Sequence, residues 1–323
     1  MKKEKKFKLF DLNRDGKGVD YEESRKPTLA FFFKLWFRKF SQLIQLNVLM
    51  LLQALPILII AFLYFAGTKT PTTTEYIYAP LYGMSISSPS PSITTLLDMS
   101  AIQMELPVLS PVAFIVVIVM VVVFALLFGV CNVGSAYVLR GLYRGDAVFV
   151  FSDFFYGIKR NFKQAFVFGL IDFIICGVLV GDFMFFYSKT GSFQLDFMFF
   201  TISALAIVYI IMHFYMYQLL ITFDLSSFKI LKNSLIFTIL GIKRNIMAIL
   251  GIVVLAAIHI ALILLLLPLG IAIPLVLPLV YIFSLVGFIT TYAAFPVIDK
   301  YMIQPYLASQ QTNDALNAPN EEI

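Results

Sequence analysis

A chain of 323 residues that is 60% hydrophobic, with 24 Lys and Arg, 19 Asp and Glu and mean hydropathy +0.89, has too few polar side chains to coat a soluble globule. Two Cys, 17 Gly and 14 Pro also exclude a disulfide scaffold and a collagen-like fibre, and the apolar content excludes disorder. The solvent that fits this composition is lipid.

Residues 1–42 form a basic, polar N-terminal segment carrying 12 Lys and Arg. It is too long for the n-region of a cleavable signal, so the first apolar run is expected to stay as an anchor. Within it, "DLNRDGKGVDYE" matches the calcium-loop pattern, with Asp11, Asn13, Asp15 and Glu22 as oxygen donors and Gly16 at the turn. Its setting argues for a plain Gly- and Asp-rich turn: Gly18 stands where paired loops carry an apolar residue, Pro27 interrupts an exiting helix, and there is no second loop. No metal and no cofactor are expected.

Lipid offers the backbone no hydrogen-bond partner, so a chain crosses it as a helix of about 20 apolar residues. Six runs qualify, over residues 43–66, 112–138, 165–187, 197–223, 246–268 and 271–295. The fold class is all-α, a six-span membrane domain over residues 43–295. After the first span comes a Ser-, Thr- and Pro-rich loop, residues 67–111, which reads either as a passive connector or as a lid or interaction surface. Its "ITTLLDMSAIQMEL" has the pattern of a short amphipathic helix. Between the second and third spans, "SDFFYGIKRNF" predicts an interfacial helix with Ser152 as N-cap and Asp153 in the first turn. "GIKRN" occurs at Gly157–Asn161 and again at Gly241–Asn245, each time ahead of a span, with a looser copy in "FRKFSQLIQLN". This suggests three tandem, parallel units of interfacial helix, outgoing span and returning span. The fifth-to-sixth junction, "LPLGIAIPLVLP", reads as a tight turn or a re-entrant hairpin, and residues 296–323 as a polar tail, partly disordered.

Lys and Arg then orient the chain. Residues 1–42, 139–164, 224–245 and the tail hold 22 of the 24, against Lys69 and Lys189 on the other side. Both termini are therefore expected to be cytoplasmic. The same rule accounts for the +5 net charge without nucleic acid. Arg160, Lys163, Lys243 and Arg244 are candidates for docking anionic lipid headgroups or a partner, or serve as topology signals alone.

Inside the spans, ionisable residues are costly and so are candidates for function. Asp172, His213 and His259 make up a candidate intramembrane polar site, and Asp172 and His213 fall within about 5 Å of one level by the helical rise. They read either as a proton or substrate relay or as hydrogen-bonding glue between helices. Asp182 lies close to the outer end of its span, where water meets its needs. Cys131 and Cys176 read as small buried apolar residues. There is no "GxSxG", Walker A, HExxH or Cys/His cluster, so no enzyme is expected.

Five stretches together resemble the YesL-like bacterial membrane proteins, a domain family of unknown function: "DGKGV", "FFFKLWFRKFSQLIQLNVLMLLQALPI", "YVLRGLYRGDAVFVFSDFFYGIKRNFKQA", "ITFDLSSFKILKNSLIFTILGIKRN" and "FPVIDKYMI". In that family a Gly-rich segment without calcium ligands stands where "DGKGV" does, and shorter members lack a long loop after the first span. The resemblance implies a bacterial cytoplasmic membrane protein linked to carbohydrate uptake. Its implied role is that of an accessory subunit beside ABC-transporter permeases or a sensor kinase. The alternative is an autonomous secondary transporter or channel built around the intramembrane polar residues.

Overall fold

A computed structural model describes residues 27–71, 105–189 and 191–317. The Asp11–Glu22 loop and most of the loop after the first span lie outside the described residues. Helix α1 (Leu29–Ala66) is followed by two four-residue strands, β1 (Thr68–Pro71) and β2 (Glu105–Val108). Then come α2 (Pro111–Arg144), α3 (Val150–Tyr187), α4 (Phe193–Thr222), α5 (Ser227–Leu240), α6 (Ile242–Leu266), the single turn α7 (Ile273–Val276), α8 (Pro278–Ile298) and α9 (Gln304–Asn317). Six of these helices are long and apolar enough to cross a membrane, as a multi-pass membrane protein requires.

Each span begins or ends where the local chemistry dictates. Thr28 caps α1 by accepting from Phe31 N–H, and Ser110 caps α2 from Ala113 N–H ahead of Pro111. Gly145, with φ +74°, ends α2 in the left-handed conformation that favours glycine. The interfacial helix expected from Ser152 begins earlier, at Val150. Ser152 does not cap it; the Asp153 carboxylate instead reaches back and accepts from Phe149 N–H at 2.8 Å. The sixth span begins at Pro278 rather than residue 271, because Pro274 and Pro278 each start a new helical segment and Gly270 breaks the chain with φ +78°.

Of the three interfacial helices expected, two are continuous with their spans. α1 runs unbroken for 38 residues, and α3 bends at Asn161 (φ −114°, ψ 15°) without ending. Only α5 is separate, joined to α6 through Gly241. Both "GIKRN" copies thus mark a bend, but at opposite ends of the motif. Asn161 donates to Gly157 C=O, whereas Asn245 donates back to Thr238 C=O and accepts from the Tyr215 hydroxyl at 2.6 Å. A Cβ on Gly241 would stand 2.2 Å from that same hydroxyl, so only glycine fits there.

The bundle packs around three buried clusters. Leu35, Leu46, Leu142, Phe154 and Phe288 join α1, α2, α3 and α8. Val133, Phe168, Met216, Leu220 and Ile230 join α2 to α5. Tyr215, Leu219, Phe237, Ala294 and Ile298 join α4, α5 and α8. Side chains such as Phe62, Val122, Ile174 and Leu264 face outward, as a lipid-facing surface requires. Polar bonds fix the helix order. Asn47 of α1 donates to Leu279 C=O and accepts from Ser284 N–H of α8, and Arg140 of α2 donates to Ile221 C=O and Thr222 Oγ1 at the end of α4.

Candidate functional site

The seam between α2 and α3 is glycine-lined. A Cβ on Gly129 would lie 2.1 Å from Ala165 O and 2.4 Å from Gly169 Cα, so the two backbones touch there. One turn beyond Gly169, α3 presents Asp172, fully buried at 0% exposure. It lies about 16 Å along α3 from the Asn161 bend by the helical rise, well inside the apolar run. Cys176 follows four residues later on the same face.

Helix α4 meets this face with Tyr209, His213 and Tyr217, spaced by four residues and therefore stacked along one side. Both tyrosines donate to the carboxylate, Tyr209 to Oδ1 at 2.6 Å and Tyr217 to Oδ2 at 2.5 Å. His213 Nε2 stands 2.8 Å from Oδ1. With the carboxylate ionised, Nε2 carries the hydrogen and donates. The Cys176 thiol lies 3.8 Å from Oδ1 and 4.0 Å from His213 Nε2. The Asn132 side chain of α2 faces the Tyr217 hydroxyl. Phe128, with its ring centroid 6.2 Å from that of His213, supplies an apolar wall.

A buried carboxylate is stable here because three donors surround it, two of them neutral hydroxyls and one able to carry positive charge. Asp172 is sealed, whereas the His213 side chain is 26% exposed. Such an arrangement can hold a cation: the carboxylate supplies charge, the imidazole and thiol supply further donors, and the tyrosines fix the carboxylate's orientation.

The sequence-derived trio is only partly brought together. Asp172 and His213 meet, but His259 is set apart on α6, where Nδ1 lies 3.3 Å from the Tyr281 hydroxyl of α8 and Nε2 has no partner among the described residues. Lying inside a span says nothing about which helices touch. Cys176, taken from sequence as an apolar filler, stands against the Asp172 and His213 side chains instead; Cys131 is buried as expected. Tyr209 and Tyr217 were missed, although their spacing from His213 was visible.

The four basic docking candidates also separate. Arg160 and Lys163, with Lys159 and Asp224, line a cavity of about 610 Å³ between α3 and the end of α4. Lys243 and Arg244 instead stand at a largely apolar groove of about 670 Å³ between the start of α1 and α6, floored by α8.

Comparison with family models, curated proteins and solved structures gives no match to this chain.

Proposed function

We propose that this is a secondary transporter or channel of the bacterial cytoplasmic membrane whose ion-handling centre is Asp172 with His213, Tyr209, Tyr217 and Cys176. The observation that carries the reading is the fully buried Asp172 carboxylate held by donors from α4 at three of its contacts. A charge at that depth costs about 2.5–3.5 kcal/mol on insertion scales, which helix glue does not require, since uncharged Asn or Gln serves as well. Asn47 and Gln218 do so elsewhere in this bundle. Both termini face the cytoplasm in this reading, and the three units of interfacial helix, outgoing span and returning span are parallel repeats.

The test is flux in proteoliposomes, with protons and small mono- and divalent cations each followed by an entrapped indicator. The wild-type chain is expected to conduct at least one of them. His213→Ala is expected to lower that flux at least tenfold while eluting as the same monodisperse species. No flux above protein-free vesicles, or flux indifferent to His213→Ala, would overturn the proposal.

A second reading, an accessory subunit of carbohydrate uptake in the YesL-like manner, is favoured by the basic cavity at Lys159, Arg160 and Lys163. Three exposed cations around one concavity suit an acidic segment of a permease or sensor kinase. In mild-detergent purification from native membranes, stoichiometric recovery of such a partner from the wild type, and its loss from Arg160→Glu/Lys163→Glu, is the expected result. Recovery of the chain alone would sink it.

A further inference from the structure

We infer that the Asp172, Cys176 and His213 side chains form a binding site for a soft divalent transition-metal ion of the zinc class. The inference rests on the transport reading for its biological use and names the cation class that the centre accepts.

The donor geometry is close to that of an occupied site. Oδ1 of Asp172, Sγ of Cys176 and Nε2 of His213 all lie within 4.8 Å of one another, at 2.8, 3.8 and 4.0 Å pairwise. Tetrahedral zinc, with bonds of about 2.0–2.3 Å to O, N and S, places its ligand atoms roughly 3.3–3.6 Å apart. Shifts of about half an ångström in each pair reach that geometry, with the oxygen and nitrogen parting and the sulfur drawing in. Asp172 and Cys176 share one face of α3, so a rigid helix presents two of the three ligands.

Charge selects the same occupant. A divalent ion with one carboxylate, one thiolate and one neutral imidazole is electrically neutral, the state least penalised inside a bilayer. On binding, the thiol proton leaves to solvent, and the Nε2 hydrogen is given up while Nδ1 takes one from solvent, so that the still-neutral imidazole offers its Nε2 lone pair to the metal. A monovalent ion would leave the same ligands with net negative charge. Calcium and magnesium prefer six or more oxygens, whereas sulfur with imidazole suits zinc, cobalt or copper.

The surroundings complete the site. Tyr209 and Tyr217 hydrogen-bond the carboxylate from outside the ligand set, the role that orienting partners play at metal centres. Asp172 is sealed while His213 is partly exposed, so a fourth ligand to the ion would come from the imidazole side. Three protein ligands leave a fourth coordination position to water or a substrate, in contrast to closed four-ligand structural sites.

The test is titration of the purified full-length chain in detergent with Co²⁺ as a spectroscopic stand-in, and with Zn²⁺ by competition. The expected result is one ion per chain, with visible bands of a tetrahedral ion and a near-ultraviolet thiolate-to-cobalt charge-transfer band. Cys176→Ser is expected to remove the charge-transfer band, and Cys131→Ser to leave it unchanged. Tyr217→Phe is expected to weaken affinity about 10–100-fold while keeping the spectrum. Absence of stoichiometric uptake, or a charge-transfer band that survives Cys176→Ser, overturns the site. If proteoliposomes conduct protons or sodium but the chain takes up no cobalt, the metal inference fails and the transport reading stands. One tightly held ion in a chain that conducts nothing upholds the metal site and defeats the transport reading.

Discussion

Asp172→Leu is expected to destabilise the bundle by about 2–5 kcal/mol, while Asp172→Asn costs about 1 kcal/mol or less and still abolishes ion binding and flux. The leucine removes the acceptor of three bonds at once, stranding two tyrosine hydroxyls and an imidazole N–H. A stranded buried donor costs about 1–3 kcal/mol in proteins generally, although bonds between membrane helices average nearer 0.6. Asparagine keeps the shape: its carbonyl oxygen can take the Oδ1 position and accept from Tyr209 and His213. Its amide can donate to the Tyr217 hydroxyl, which rotates to accept. Only the charge is lost. Midpoints from detergent unfolding, read beside flux, separate the roles of shape and charge. Two variants unfolding alike would mean that the negative charge itself holds α3 to α4, through an ion pair with His213.

Gly129→Leu is expected to prevent α2 and α3 from seating, and Gly129→Ala to cost about 1–3 kcal/mol, the range for overpacking a tight site. A methyl at this position meets backbone, at 2.1 Å from Ala165 O and 2.4 Å from Gly169 Cα, so no side chain can swing away. The helices must part, and Asp172, one turn beyond Gly169, parts with them from the α2 side, where Asn132 faces Tyr217. Gly177 and Gly181 of α3 are the controls. A Cβ there meets nothing within 4 Å, so alanine is expected to be neutral or to stabilise by up to about 1 kcal/mol through helix propensity. Thermal melting of the three alanine variants followed by size-exclusion chromatography checks the contrast. Equal melting of all three would show that the glycine contact is not what sets helix spacing.

The spans were legible because continuous apolar runs have one physical meaning, and all six are present. Their ends were less so. Phe37 to Asn47 read as an interfacial approach because Arg38 and Lys39 interrupt the hydropathy, but nothing in that stretch breaks a helix, and α1 runs straight through. Pro274 and Pro278 were visible, and their local effect, two fresh starts instead of one long span, is what proline chemistry requires. The candidate site was half legible. Asp172 and His213 stood out as ionisable residues at one depth, whereas His259 was grouped with them only as a further ionisable residue inside a span, which carries no information on neighbours. Tyr209, His213 and Tyr217 form an i, i+4, i+8 row that helical geometry alone would have put on one face. Among so many interfacial aromatics, two tyrosines carry no signal until a carboxylate is found opposite them.

The pairing of β1 with β2 bears on what holds the first two spans together. Pro71 and Glu105, and Thr68 and Val108, are cross-strand partners, which puts each pair of Cα atoms about 5 Å apart. The first strand starts two residues after the end of α1 and the second ends three residues before the start of α2. The ladder therefore acts as a backbone clasp outside the apolar runs: it ties the end of one span to the start of the next by main-chain bonds that do not depend on which side chains face the lipid.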